Sequence, residues 1–169
     1  MDKSEMKSLL CSVAEGKISP EDAELKLRNM PFEDLGYAKP DYHRGIRQGV
    51  PEVIYGSGKT KEQIEGIAKA LIEKGQKTVL VTRLDREKGE YIKDRLSAQY
   101  HEMAGIGIVG EMPEERKGNI IIATGGTSDM PVAEEAALTC EVLGNNVTRL
   151  YDVGVAGIHR LLAHSEEIM

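Results

Sequence analysis

The sequence has few aromatic residues and no excess of positive charge. Tryptophan is absent, phenylalanine occurs once, and aromatic residues make up 4% of the 169 residues. Proteins that bind single-stranded nucleic acids use aromatic side chains as stacking platforms, and binding to a nucleic-acid duplex needs clustered lysine and arginine. Because the formal net charge is -6 and the pI is near 5.3, we expect no nucleic-acid partner. An anionic substrate would need a locally positive site.

Long hydrophobic runs and metal-binding motifs are also missing. No apolar run approaches the roughly 18 to 20 residues that a membrane span needs, and the start lacks a secretory signal pattern. We therefore expect a cytoplasmic protein without a membrane partner. Cys11 and Cys140 lie far apart in predicted helices, which favours two buried thiols over a disulfide or a metal site. The acidic pair Glu134 and Glu135 favours a solvated helix face, so the metal ligands stay unknown.

The apolar pattern divides the chain into three units. Residues 1–50 predict a short helical hairpin and a linker, and residues 51–117 predict a small α/β unit. Residues 118–169 predict a further βαβ unit that stops early. The expected strands are 53–55, 78–82, 106–109, 119–123 and 147–151, and the expected helices between them are 60–74, 86–98 and 129–143.

This alternation predicts an α/β fold with a mainly parallel sheet. The helix at 60–74 has the clearest signals, because Thr60 and Gln63 fit a capping box and Gly75 follows its last turn. A sheet that begins at 119 with only two strands is incomplete. Either these strands join the earlier sheet, or the protein continues beyond residue 169.

The most informative motif is Gly-Gly-Thr-Ser-Asp-Met-Pro at Gly125–Pro131. A strand, a glycine turn and a helix start place N–H groups and the positive end of the helix dipole at the carboxyl edge of a parallel sheet. Gly125, Gly126, Thr127 and Ser128 are therefore candidate ligands for a phosphate or a carboxylate. Asp129 is unusual in an anion site, unless it caps the helix, accepts a hydroxyl, holds a metal or exchanges a proton. A capped turn without a ligand is the alternative.

A second glycine turn, Gly56–Thr60, looks like the end of a nucleotide-binding P-loop. It is not a complete P-loop, because Val53 stands where the pattern requires its first glycine. Lys59 could still contact a phosphate, or it could be a solvated lysine. Arg83 follows the next strand and is expected at the same edge of the sheet.

A third cluster follows the last predicted strand. Asp152, His159 and Arg160 stand in Tyr151–Arg160, and the stretch also contains two glycines. Histidine can transfer protons near neutral pH, and the arginine fork fits a carboxylate or a phosphate. A histidine and an arginine on a solvated helix are the alternative. Two successive strand ends with such residues favour a shared cleft.

The long motifs resemble one family. They are similar to motifs of the LarB family of pyridinium-3,5-biscarboxylic acid mononucleotide synthases. The stretches that carry the resemblance are Gly125–Ala136, Leu150–Leu162 and Asp41–Gly56 with the following Gly58-Lys59-Thr60. The resemblance spans essentially the whole chain. It implies that residues 118–169 are the beginning of a PurE-like, flavodoxin-like domain, related to aminoimidazole ribonucleotide carboxylase.

The resemblance also implies an activity in nickel-pincer cofactor biosynthesis. The pyridinium ring of nicotinic acid adenine dinucleotide is carboxylated with bicarbonate or CO2, and hydrolysis of the phosphoanhydride releases AMP with the help of Mg²⁺. Gly126, Thr127 and Ser128 would bind the ring carboxylate or a phosphate, and Asp129 and Asp152 would position polar groups. His159 and Arg160 would neutralise charge or transfer a proton. Relatives assemble into homo-oligomeric rings.

One expected part has no match in these residues. The family uses a downstream cysteine as a covalent nucleophile and a downstream glutamate, and neither Cys11 nor Cys140 corresponds to that cysteine. We therefore expect a truncated PurE-like domain and no carboxylase activity of this chain alone. The alternatives are a non-catalytic nucleotide-binding module and an aminoimidazole ribonucleotide carboxylase-like mutase. The mutase fits less well, because residues 1–118 have no counterpart in its minimal form.

Overall fold

The computed structural model describes residues 3–28 and 34–168. The helices are Lys3–Ala14 (α1), Pro20–Arg28 (α2), Arg44–Gln48 (α3), Lys61–Glu73 (α4), Arg86–Leu96 (α5), Met130–Val142 (α6), Ile158–Leu162 (α7) and Ser165–Ile168 (α8). The strands are Val53–Tyr55 (β1), Thr78–Thr82 (β2), Gln99–His101 (β3), Ile106–Gly110 (β4), Gly118–Ala123 (β5) and Asn145–Leu150 (β6). The predicted α/β class is confirmed.

The first sheet has four strands in the order β1-β2-β4-β3. Its β1–β2 pair is parallel and is connected through α4, as the βαβ pattern predicts. The pairs β2–β4 and β3–β4 are antiparallel, so this sheet is mixed rather than mainly parallel. The difference arises at β3, a three-residue strand that the sequence pattern did not reveal. A short turn at 102–105 joins it to β4, and a turn of this length permits only an antiparallel neighbour.

The second sheet contains only β5 and β6, which are parallel and are connected through α6. Within residues 34–168, these strands therefore do not join the first sheet. Their pairing begins at Gly118 and Asn145 and runs to Ala123 and Leu150. The predicted strand 147–151 thus starts two residues earlier than expected and ends at Leu150.

Helix α6 packs against both sheets. Along β2, Val79 and Val81 face the cluster formed with α4 and α5, whereas Leu80 faces the opposite side. This alternation follows from the two-residue period of a strand. On the Leu80 side, Leu138 and Val142 of α6 complete a second buried cluster, and α6 also contacts β5 and β6. The start of α6 is therefore held between the carboxyl ends of β2 and β6.

The capping signals of α4 are confirmed. Thr60 accepts a hydrogen bond from the Gln63 N–H at 3.2 Å, and the Gln63 side chain accepts one from the Thr60 N–H at 3.0 Å. Gly75 follows the helix in the left-handed region, with φ 93°. By contrast, α5 ends at Leu96 instead of residue 98, because Ser97 takes the left-handed conformation at φ 52°.

The hairpin predicted at the start of the chain is formed by α1 and α2, which contact each other. The predicted hairpin also included residues 1–2 and 29–30, which lie outside the described residues. Residues 31–33 of the predicted linker and residue 169 lie outside them as well. The prediction of two buried thiols is wrong, since Cys11 is exposed on α1 and Cys140 is half-buried on α6. None of the helices in the described ranges has the length and apolar character to cross a membrane.

Helices α4 and α5 are joined by a nearly buried carboxylate. Glu65 is 8% exposed and accepts a hydrogen bond from the Tyr91 hydroxyl at 2.6 Å. Its other oxygen lies 2.7 Å from Lys69 Nζ and 3.6 Å from Arg95 Nε. The hydrogen bond from Lys69, followed by that from Tyr91, lowers the pKa of Glu65 below its ordinary value.

This lowered pKa predicts an acid-sensitive contribution to stability. A carboxyl group whose pKa is lower in the folded state stabilises the fold fully above its unfolded pKa, and loses this effect as the pH falls through the folded value. Glu65→Gln should therefore lower the Tm at neutral pH and flatten its decline toward about pH 3. Glu73→Gln, at an exposed position of the same helix, is the control. Thermal unfolding followed by circular dichroism measures both variants, and an unchanged acid decline in Glu65→Gln would contradict the prediction.

Candidate functional site

The turn after β5 is closed by its own aspartate. Residues Thr127–Asp129 form a 3-10 turn, and α6 begins at Met130 with Pro131 in its first turn. One carboxylate oxygen of Asp129 accepts a hydrogen bond from the Gly126 N–H at 3.0 Å, while the Asp129 N–H donates to the Gly126 carbonyl at 3.1 Å. Asp129 therefore closes the 3-10 turn, whereas its side chain makes no capping hydrogen bond to α6.

The two glycines of this turn are not required by backbone conformation. Gly126 is extended, with φ -157°, and Gly125 is not in the left-handed region either. A Cβ on Gly126 would meet no atom within 4 Å, and one on Gly125 would meet Asp129 Oδ2 at an ordinary 3.5 Å. The backbone of this turn would therefore accommodate a side chain at either position.

The turn after β6 lies directly against the turn after β5. The buried Thr124 accepts hydrogen bonds from the Val153 N–H to its carbonyl, at 2.9 Å, and from the Asp152 N–H to its hydroxyl, at 3.1 Å. Gly154 approaches Gly125 so closely that a Cβ on Gly154 would lie 2.4 Å from the Gly125 carbonyl oxygen. The two strand ends thus form one continuous edge, which is the arrangement that a shared cleft requires.

The third predicted cluster is partly neutralised within itself. Asp152 has a left-handed backbone, with φ 58°, and its carboxylate forms an ion pair with Arg160 Nη1. The Arg160 side chain passes over Gly157, where a Cβ would lie 2.7 Å from Arg160 Nε. His159 lies exposed on α7. Asp152 and Arg160 are therefore close together at this edge, and each is the ionic partner of the other.

Arg83 reaches the same helix from the first sheet. It follows β2 with φ 56°, and its Nε lies 3.1 Å from Glu135 Oε1 on α6. A cleft of about 480 Å³ opens beside this ion pair, between the first sheet and the start of α6. It is lined by residues of both parts, among them Ser57, Arg83, Lys88, Met103, Val132 and Glu135.

Lys59 lies on the turn after β1, next to the cleft rather than in it. Its N–H donates to the Gly56 carbonyl at 3.2 Å, which closes the turn after β1, and Gly58 takes the left-handed conformation there, with φ 77°. Lys59 is not among the residues that line the cleft beside Arg83. The structure therefore brings Arg83 to α6 and leaves Lys59 on the adjacent turn.

The prediction of a solvated acidic face on α6 is wrong. Glu134 lies 3.3 Å from Arg149 Nε and accepts a hydrogen bond from the Tyr151 hydroxyl, whereas Glu135 binds Arg83. The side chains of Glu134 and Glu135 are only 22% and 21% exposed. Sequence reasoning missed Arg149 and Tyr151. Their signal was their alternate spacing at the end of β6 and directly after it, which places both side chains on the face that meets the acidic side of α6.

Mg²⁺ is usually held by one or two carboxylates together with substrate phosphates, so it does not need a complete set of ligands from the protein. No group of three or more His, Cys, Asp or Glu residues in the described part of the chain could hold a metal ion. The carboxylates nearest the turn, Asp129 and Asp152, are engaged by the Gly126 N–H and by Arg160. No ligand for Mg²⁺ is therefore assigned to this chain.

Fold and site together define the class of protein. It is an α/β protein in which two βα units meet at one helix, with a strand-end turn of the type that binds anionic groups. Residues 32–111 match the family model of the LarB/PurE-like N-terminal domain, a segment that contains the entire four-stranded sheet. Over these residues the chain is similar to the amino-terminal domain of LarB/PurE-like proteins.

A relative extends the similarity to the second sheet. The uncharacterized protein MJ0165 of Methanocaldococcus jannaschii is 35% identical over 164 residues, which cover 92% of this chain. The chain spans 64% of the length of that relative. The candidate turn at 125–131 lies outside the segment that the family model matches.

The contact between the two turns predicts that replacing Gly154 and replacing Gly126 will have different effects on stability. Gly154→Ala should destabilise the protein by about 1 to 3 kcal/mol, because its Cβ would meet backbone atoms of Gly125 that cannot move independently. Gly126→Ala should change stability by less than about 0.5 kcal/mol, since its Cβ would lie in open space. Urea unfolding measures both variants. Equal stability of the two would show that the turns are not in the contact described.

Proposed function

We propose that this chain acts in the carboxylation of the pyridinium ring of nicotinic acid adenine dinucleotide, with bicarbonate or CO2 as the carbon source and AMP as a product. The reaction belongs to nickel-pincer cofactor biosynthesis. The match of residues 32–111 to the LarB/PurE-like N-terminal domain supports a carboxylase or mutase type of activity. The observation that carries the proposal is the direct contact of the two strand-end turns at Gly125 and Gly154.

The turn after β5 offers groups that suit an anionic ligand. The first N–H groups of a helical segment have no acceptor within it, and the start of a helix favours negative charge. Thr127 and Ser128 are exposed at this point and add two hydroxyl groups. With Asp129 engaged in closing the 3-10 turn, its negative charge is already hydrogen-bonded, and the hydroxyls and N–H groups are the elements that would contact a carboxylate or a phosphate.

The turn after β6 and the cleft at Arg83 supply the remaining groups. Arg160, paired with Asp152, would neutralise part of the charge of the ligand, and the exposed His159 would transfer a proton. A dinucleotide carries a pyrophosphate as well as a ring carboxylate, so one ligand can reach two separate positive groups. Arg83, whose side chain is 57% exposed in its ion pair with Glu135, is the second group in this proposal.

A non-catalytic nucleotide-binding module is the second candidate. The observation that favours it is that the carboxylates of Asp129 and Asp152 are both occupied within the protein. In that case the dinucleotide would bind at the same turns without being converted. Binding and turnover must therefore be measured separately.

A charge added at the turn tests where the ligand binds. Ser128→Asp should weaken the binding of nicotinic acid adenine dinucleotide by about tenfold or more, because a carboxylate at the ligand position repels an anion. It should not destabilise the fold, since an acidic residue is favourable at a helix start. Ser8→Asp adds the same charge at an exposed serine of α1 and should leave the affinity unchanged. Isothermal titration calorimetry with the dinucleotide and with AMP provides the dissociation constants.

Three outcomes separate the candidates. Formation of AMP from dinucleotide and bicarbonate by the unmodified chain would exclude the non-catalytic module and would contradict our expectation that this chain alone lacks carboxylase activity. Binding without turnover agrees with that expectation and supports the module. No binding of either nucleotide contradicts both. Equal affinity of Ser128→Asp and the unmodified chain would place the ligand away from this turn.

A further inference from the structure

A half-buried polar network lies behind the two turns of the candidate site. Arg149 of β6 forms two hydrogen bonds to Glu141, at 2.6 Å and 3.1 Å, and its Nε lies 3.3 Å from a carboxylate oxygen of Glu134. The Tyr151 hydroxyl donates to the same oxygen of Glu134. The network thus connects the end of β6 to α6 at Glu134 and at Glu141, which lie about two helix turns apart.

The two acidic residues differ in what they hold. The Glu141 carboxylate binds Arg149 near the carboxyl end of α6, whereas the Glu134 carboxylate binds both Arg149 and Tyr151 one turn after the helix begins. Tyr151 directly precedes Asp152, and the helix that carries Glu134 begins directly after Asp129. The hydrogen bond between Tyr151 and Glu134 therefore connects the elements from which the two turns extend.

The environment favours the protonated forms of Tyr151 and Arg149. The side chains of Arg149, Glu134 and Glu141 are 28%, 22% and 22% exposed. Burial, together with the hydrogen bond to Glu134, raises the pKa of Tyr151, so its hydroxyl stays a donor at neutral pH. The hydrogen bonds to Glu141 raise the pKa of Arg149, which therefore stays charged. Each hydrogen bond then has a donor and an acceptor throughout the physiological range.

We propose that Tyr151 and Glu134 are positioning residues that hold the turn after β6 in register with the turn at the start of α6. This inference rests on the proposed function for its consequence, which is that a ligand touching both turns binds to a preformed site. The turns also contact each other directly. The Thr124 hydroxyl accepts a hydrogen bond from a backbone N–H, and the backbone of Gly154 lies against the backbone of Gly125. The Tyr151–Glu134 hydrogen bond holds the turn after β6 in place relative to α6.

Four variants separate positioning from general stability. Tyr151→Phe removes only the hydroxyl, and Glu134→Ala removes its acceptor. Glu134→Gln keeps an acceptor oxygen and should restore most of what Glu134→Ala loses. Glu141→Ala is the matched control, because it removes the two-fold contact to the same Arg149 and should lower the Tm at least as much as Glu134→Ala.

Amide hydrogen exchange tests the positioning without any ligand. The informative amides are the Gly126 N–H, bonded to Asp129, and the Val153 N–H, bonded to Thr124. We expect both to exchange at least about fivefold faster in Tyr151→Phe and Glu134→Ala, and at unchanged rates in Glu141→Ala. Unchanged exchange in the first two variants, or equal acceleration in Glu141→Ala, would overturn the inference.

Calorimetry with nicotinic acid adenine dinucleotide tests the consequence. The dissociation constant should rise about tenfold in Tyr151→Phe and Glu134→Ala, and stay within about twofold in Glu141→Ala and Glu134→Gln. Faster exchange in Tyr151→Phe and Glu134→Ala, together with no binding of the dinucleotide by the unmodified chain, would contradict the proposed function and leave the positioning role supported. Binding by the unmodified chain with equal affinity in Tyr151→Phe would overturn the positioning role and leave the proposed function in place.

Discussion

The packing of helix α6 between two sheets is the constraint on which the rest of the structure depends. Its apolar side, with Leu138 and Val142, completes the cluster under Leu80 of β2, while its other side covers β5 and β6. A two-stranded sheet buries too little surface to be stable alone. Because the same helix serves both sheets, the start of α6 is brought beside the carboxyl ends of β2 and β6, and the candidate site forms there.

Two neighbouring glutamates fix the direction of this helix start. Successive residues on a helix point about 100° apart, so Glu134 and Glu135 reach different partners. Glu134 holds Arg149 and Tyr151 of the second sheet, and Glu135 holds Arg83 of the first. Partly buried ion pairs of this kind give little net stability, but leaving one partner without the other is costly, which favours a single arrangement.

The site that results differs in character from a simple anion pocket. Its carboxylates are occupied, Asp129 by the Gly126 N–H and Asp152 by Arg160, so they shape the turns before any ligand arrives. The groups that remain at the edge are hydroxyls, N–H groups and an exposed imidazole. This composition agrees with a ligand that carries a carboxylate or phosphates, and residues 32–111 match a LarB/PurE-like N-terminal domain.

The sequence by itself determined the local elements. The capping box at Thr60 and the alternation of strands and helices are local signals, since they depend on residues within one turn or one strand, and the structure agrees with them. The proximity of the strand-end motifs also followed from the rule that parallel strands end at one edge. Only the tertiary structure decided the direction of β4, the separation of β5 and β6 from the first sheet, and the partners of Glu134 and Glu135. These features depend on which surfaces meet across the chain, and the period of a helix or strand shows which side is apolar but not what covers it.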